Sequence, residues 1–144
     1  MVLYLKYNAV LYRQTHLGKS TTVSQLPNLS WFSPVYNYGQ SYGPVITSYL
    51  PNKSLKLLNL GKMSVRLNII KKYPDLKKLL DPDEQYSGGK SNKKLHVKLR
   101  KYFQKKYAGT IIVDKLILEK DKYMLEGPSE VVLWGKLSNI IKRI

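Results

Sequence analysis

The chain contains no cysteine, which excludes a disulfide framework and any thiolate metal site. Histidine is nearly as scarce. His16 and His96 are the only two, far apart, with no HExxH-type spacing, so a histidine zinc site would need carboxylates to complete it. Ser-His-Asp chemistry loses support for the same reason. No apolar run approaches the roughly twenty residues of a membrane span. Met1 to Tyr7 has neither a charged leader nor a small-residue cleavage site, so no secretion signal is expected.

Acidic residues are also few: nine, against 25 Lys and Arg, for a formal net charge of +16. None precedes Asp75. Such a field favours polyanions: nucleic acid, a dinucleotide or an anionic membrane. A coding bias toward A and T, which enriches Lys, Asn, Ile and Tyr together, accounts for the lysines equally well. Both readings stay open at this point.

What is present is enough for a core. The chain has 144 residues, 43% of them hydrophobic, which fits one domain over 1–144. Strand patterns cover Val2 to Tyr7, Ala9 to Tyr12 (ended by polar Arg13-Gln14), Trp31-Phe32, Val45 to Leu50 and Leu55 to Leu60. Gly18 to Asn28 reads as a loop. Tyr36 to Tyr42 fits a short helix stopped by Gly43-Pro44. Met63 to Leu80 is helical in part, interrupted by Pro74. Asp81 to Asn92 reads as a flexible loop. Ser91 then caps a helix whose apolar positions Leu95, Leu99, Tyr102, Phe103 and Tyr107 keep helical spacing up to Gly109. Four short strands follow, Thr110 to Val113, Lys115 to Leu118, Lys122 to Leu125 and Glu130 to Trp134, then Asn139-Ile140-Ile141. The order predicts an α+β domain.

Five segments, in order, resemble the motifs of ADP-ribosyltransferase-fold domains. Leu11-Tyr12-Arg13-Gln14-Thr15 resembles the first motif, often Tyr-His-Gly-Thr. Trp31-Phe32-Ser33 with Gly39 and Tyr42 resembles the second, an aromatic-Ser/Thr pair before a short helix and a Tyr. Ser54 to Leu60 is similar to the strand after that helix. Lys106 to Val113 looks like the Gly-Tyr-Asp-Gly-Ile-Ile segment of small members. Glu130 to Trp134, with Ile140-Ile141-Lys142, resembles their ending. Arg13 stands where many members have His, as in an Arg-bearing branch. Gln14 replaces a Gly, and Ala108 an Asp. Pro128 occupies the place where arginine-modifying members carry a second acid, which implies an acceptor other than arginine.

The resemblance implies two small antiparallel sheets around an NAD cleft with flanking helices, and transfer of ADP-ribose from NAD, with no metal. Glu130 would be the catalytic carboxylate. It would stabilise the oxocarbenium-like transition state formed when the nicotinamide–ribose bond breaks. Arg13, Thr15, Ser33 and Tyr42 would bind the dinucleotide: Arg13 as a bidentate phosphate ligand, Tyr42 by stacking on the nicotinamide ring. His16, near Arg13, and the loop acids Glu126 and Asp121 are lesser candidates. Small divergent members occur in large DNA viruses and phages. The expected location is therefore intracellular, cytoplasm or nucleus of a host cell, or the interior of a virion.

A second reading needs no catalysis. From Lys90 to Lys106 there are eight Lys or Arg and no acid. Lys94, Lys98, Lys101 and Lys105 fall on roughly one face of the expected helix, with Arg100 beside them, opposite Leu95, Leu99 and Phe103. Such a face tracks a phosphate backbone without reading bases. The chain would then be an inactive basic structural or nucleic-acid-binding protein, such as a virion component. An ordinary solvated helix face is the commonest meaning of such a run.

Overall fold

The computed structural model describes residues 2–5, 9–17, 22–34, 36, 42–80, 93–119 and 122–144. They form eight strands and two α-helices: β1 (Val2–Leu5), β2 (Leu11–Thr15), β3 (Leu29–Phe32), β4 (Val45–Pro51), β5 (Leu55–Asn59), α1 (Met63–Lys72), α2 (Lys93–Phe103), β6 (Gly109–Glu119), β7 (Lys122–Trp134) and β8 (Ile141–Arg143). The class is α+β. Most of the short helix expected over 36–42, the loop expected over 81–92 and the Ser91 cap lie outside the described residues, as does Asp121.

The strands make two sheets, one in the order β1-β5-β6-β7-β3 and one in the order β2-β4-β8. The smaller is antiparallel. The larger is mixed, which corrects the expectation of purely antiparallel sheets. β5 and β6 run parallel, with Leu57 opposite Gly109 and Asn59 opposite Ile111. Parallel neighbours cannot be joined by a tight hairpin and need a long crossover. Here α1 and α2 both lie in that connection.

Strand alternation sends successive side chains to opposite faces, and the larger sheet uses both. On one face Leu55, Leu57, Ile111, Val131, Leu133 and Phe32 pack against Leu11, Tyr49 and Ile141 of the smaller sheet. On the other, Leu58 and Trp134 pack against Val65, Ile69, Leu95 and Leu99 of the helices. The result is three layers: small sheet, large sheet, helices. Leu95 and Leu99 are fully buried, each contributing roughly 1.5–3 kcal/mol through apolar area removed from water.

α1 starts beside a short polar knot. Asn59 Oδ1 accepts the Gly61 N–H at 3.1 Å, and the buried Arg66 donates through Nη1 to the Leu60 carbonyl at 2.8 Å. Pro74 has no N–H to continue the helix, so a 3-10 turn over Pro74–Leu76 follows. α2 ends at Phe103, earlier than the spacing predicts, and Gln104 to Lys106 form a turn. Gly109 is the first residue of β6 and not a helix stop. The exit from α2 is clamped to β7: the Trp134 indole donates to the Tyr107 carbonyl at 2.7 Å, and the Trp134 N–H donates to Ala108 O at 3.0 Å.

Strands that the sequence separates are continuous in space. β6 runs through Asp114, where the register shifts: between the pairs Val113–Ser129 and Lys115–Glu126 β6 has one residue and β7 has two, so the extra residue of the bulge lies on β7. β7 runs through Gly127 and Pro128, expected to be a loop. They are the two residues of that irregularity. A proline is tolerated in a ladder at such a place.

At Gly109 the backbone of β7 leaves no room for a side chain. A Cβ built there would collide with the Val132 carbonyl oxygen. Gly109→Ala should therefore cost about 1–3 kcal/mol or more by overpacking, read as a lower urea midpoint with an unchanged slope. An unchanged midpoint would show that β6 and β7 have room to separate.

Candidate functional site

Among the described residues, one backbone bridge joins the two sheets. Tyr12 of β2 and Ser33, just past β3, form an isolated antiparallel bridge. Tyr12 N–H donates to Ser33 O at 2.7 Å, and Ser33 N–H to Tyr12 O at 2.8 Å. A continued ladder would next pair Gln14 with Trp31. It does not continue: β2 leaves β3 and pairs with β4, Arg13 opposite Thr47 and Thr15 opposite Val45. The strands therefore fork. Arg13 Nη1 reaches across the fork and donates to the Trp31 carbonyl at 3.3 Å, an acceptor that the interrupted ladder does not use.

Arg13 lies on the same side of β2 as Leu11, facing the space between the sheets. Burial pushes its guanidinium below its ordinary pKa, and the nearby Tyr49 phenol acts the other way. Arginine stays charged at neutral pH under such shifts. Tyr49, fully buried, is pushed above its ordinary value by burial, with Arg13 and Arg143 opposing. Thr15 follows Arg13 on that side and is buried. Arg13 Nε and Thr15 Oγ1 are both shielded from solvent and make no hydrogen bond among the described residues. Most buried polar atoms are hydrogen-bonded; Asn59 Nδ2, at a distance from this site, is likewise buried without a hydrogen bond among the described residues.

Gly43 closes the far end of β2. Its φ is +135°, which favours glycine, and a Cβ there would collide with the Thr15 carbonyl. Gln14 Nε2 donates to the Gly43 carbonyl at 3.2 Å. That contact explains Gln14 as a latch between the end of β2 and the Tyr42–Gly43 turn. Tyr42 is thereby held near Thr15, and it is 59% exposed. Leu17 and Tyr36 are exposed too, and the Tyr36 ring meets Tyr12 edge-on at 5.3 Å. His16 is exposed beside this rim.

Glu130 sits on β7, one strand beyond β3, opposite Ile112 of β6. The β3–β7 register sets Trp31 against Val132 and Phe32 against Val131. Its next step sets Ser33 opposite Glu130. Ser33 thus has β2 on one side and Glu130 on the other. Glu130 is buried, 7% exposed. Alternation with Val131 turns it toward the helix side of the larger sheet, away from Arg13. The sequence-predicted residues are therefore placed on three neighbouring strand segments, with Arg13, Thr15 and Tyr42 along β2 and its rim, Ser33 at the bridge and Glu130 beyond it.

One residue near this site was not singled out by sequence reasoning. His96 is fully buried and shares a 2.8 Å hydrogen bond between its Nε2 and Thr110 Oγ1. Its ring meets Trp31 edge-on at 5.9 Å. It therefore packs α2 onto Trp31, whose carbonyl Arg13 uses. The signal was available: His96 falls beside Leu95 and Leu99 on the apolar stripe of α2, where an imidazole needs a buried partner.

The basic residues occupy a different face. Lys94, Lys98, Lys101 and Lys105 are exposed, and Arg100 is part-buried. A groove of about 760 Å³ lies between α2 and the turn after α1, lined by Asp75, Lys78, Leu79, Lys93, Lys94, Val97 and Lys98. A smaller one of about 370 Å³ lies along β8 and Thr22–Ser24. Neither includes Arg13, Ser33 or Glu130. Among the described residues no group of three His, Cys, Asp or Glu is placed to hold a metal ion, and no helix is long and apolar enough to cross a membrane.

If Arg13 caps the Trp31 carbonyl, Arg13→Met should lower stability by about 1–3 kcal/mol, the cost of a buried acceptor losing its donor. His16→Ala, a change at an exposed position, should stay within about 0.5 kcal/mol. Equal urea midpoints for the two variants would remove Arg13 from the fork.

Compared with known proteins, the chain matches no protein-family model, no curated protein and no solved structure.

Proposed function

We propose that this chain is an ADP-ribosyltransferase-like domain that binds NAD at the β2–β3 fork and breaks its nicotinamide–ribose bond. The observation that carries the reading is the pair of buried polar atoms without hydrogen bonds, Arg13 Nε and Thr15 Oγ1. They stand on one side of β2, next to the Tyr12–Ser33 bridge, with Glu130 turned to the opposite face of the larger sheet. Five motifs in the expected order supply the rest of the support.

Each residue then has a role its chemistry allows. The Arg13 guanidinium, already bonded through Nη1 to a carbonyl, has Nε left without a hydrogen bond for a pyrophosphate oxygen. Thr15 Oγ1 offers a hydroxyl to a ribose. Tyr42, exposed on the rim, stacks on a flat cationic ring. Glu130 is kept as the electrostatic stabiliser on the strength of the resemblance, since its side chain faces the helix side of the larger sheet while Arg13 and Thr15 face the space between the sheets; a carboxylate shielded from bulk water stabilises developing positive charge strongly. Ser33 positions the strand that carries it. The acceptor of the ADP-ribosyl group is a nucleophile other than an arginine side chain.

Titration with NAD should raise the melting temperature, and slow release of nicotinamide should be detectable by chromatography. Glu130→Gln should cut release by about a hundredfold or more, the scale of losing one electrostatic stabiliser, while keeping the melting temperature and the NAD-induced shift. Release at the wild-type rate in that variant, or no thermal shift with NAD at millimolar concentration, would end the proposal.

A further inference from the structure

The surface formed by α2 and the turn after α1 is a second site, independent of the NAD reading. Its lysines come from two elements. Lys94, Lys98, Lys101 and Lys105 recur at each turn of α2 and its exit, all exposed. Lys77 and Lys78 come from the turn after Pro74, also exposed. The one carboxylate among the residues lining the groove between them is Asp75. It lies 3.7 Å from Lys98 Nζ and accepts the Tyr102 hydroxyl at 2.8 Å. Among the described residues the groove presents four lysines and one aspartate, around an apolar floor of Leu79 and Val97.

We infer that this face binds the sugar–phosphate backbone of nucleic acid without sequence preference. The spacing decides the class of partner. Lys94 to Lys101 spans about 10 Å of α2 at about 1.5 Å per helical residue, and Lys105 follows in the turn at its exit. One strand of duplex DNA presents a phosphate about every 3.4 Å of its axis, so about three phosphates lie along that length and more beside the turn. The charge does not stop where the groove stops, as a pocket for one acidic side chain or one lipid headgroup would have it. It continues in even steps past the groove to Lys101 and Lys105. Evenly spaced cations in a line match a polymer of evenly spaced anions. Beside the line, the Tyr73 and Tyr102 rings stack on each other at 4.0 Å and 13°, which fixes the Tyr102 hydroxyl on Asp75 and leaves the lysines as the exposed groups of this face. Lys72 Nζ lies 5.7 Å from the Tyr73 ring, which extends the positive surface on that side.

The experiment uses the full chain and a fluorescein-labelled duplex of about 20 base pairs, with a single strand of equal length in parallel, over a salt series of about 50 to 200 mM. The triple change Lys94→Ala, Lys101→Ala, Lys105→Ala spares Lys98 and its ion pair. It should weaken duplex binding at least about tenfold at the lowest salt. It should also flatten the slope of log K against log salt by about 2.7, since each phosphate that a lysine no longer neutralises removes about 0.9. The charge-matched control Lys53→Ala, Lys136→Ala, Lys142→Ala should change that slope by less than half as much. Melting temperatures of both variants should match wild type. Duplex should also protect Lys94, Lys101 and Lys105 from acetylation by an activated ester. Equal effects of the two triples, or no protection, would overturn the inference. So would displacement of the duplex by poly-glutamate or phosphatidylserine vesicles at matched charge concentration.

Discussion

Two backbone hydrogen bonds between Tyr12 and Ser33 are the constraint on which the architecture turns. They tie the small sheet to the large one at a single residue pair and fix where β2 leaves β3. A longer ladder there would merge the sheets and pair the Trp31 carbonyl with Gln14. With only one bridge, Arg13 takes that carbonyl, the Arg13 side chain is drawn into the interior, and Gln14 is released to latch the Gly43 turn. Each of these contacts has the same cause.

The layering follows from how the larger sheet is covered. Its β7 strand gives Val131 and Leu133 to the small sheet and Val132 and Trp134 to the helix side, so both faces are apolar. Glu130, at the start of that buried stretch, is a charge where the pattern otherwise calls for an apolar residue. Real folds break their own pattern chiefly where function requires it, and that is the physical content of the proposed catalytic role. Ser33, Thr110 and His96 are further polar groups on or against the same sheet, and the last two satisfy each other.

Much of this was legible in the chain. The alternation in Leu11 to Thr15, the apolar stripe of α2 and the apolar run after Glu130 each announce their element, because each buries one face. The α+β class followed from their order. What was hidden depends on partners distant in sequence. The parallel pairing of β5 with β6 is set by the helical crossover and leaves no mark on either strand. Asp114 and Pro128 look like breaks, yet opposite strands absorb them together in one irregularity. Helix α2 stops at Phe103 because Trp134 holds the following backbone, a contact no local rule contains. At the candidate site, Arg13, Thr15, Ser33 and Glu130 were readable as polar residues at strand ends. The fork that arranges them was not, since it is defined by a hydrogen bond that a ladder fails to make.

The parallel pair also shapes how the molecule assembles. β6 and β7 are consecutive in the chain and antiparallel, and can zip as a hairpin on the microsecond scale. β5 reaches its place beside β6 only after the whole stretch carrying α1 and α2 has been brought round. That closure loses chain entropy before any sheet contact compensates it. The rate of folding is then governed by docking of the helical crossover, and changes in Leu95 or Leu99 that loosen it will be felt in the speed of folding as well as in stability.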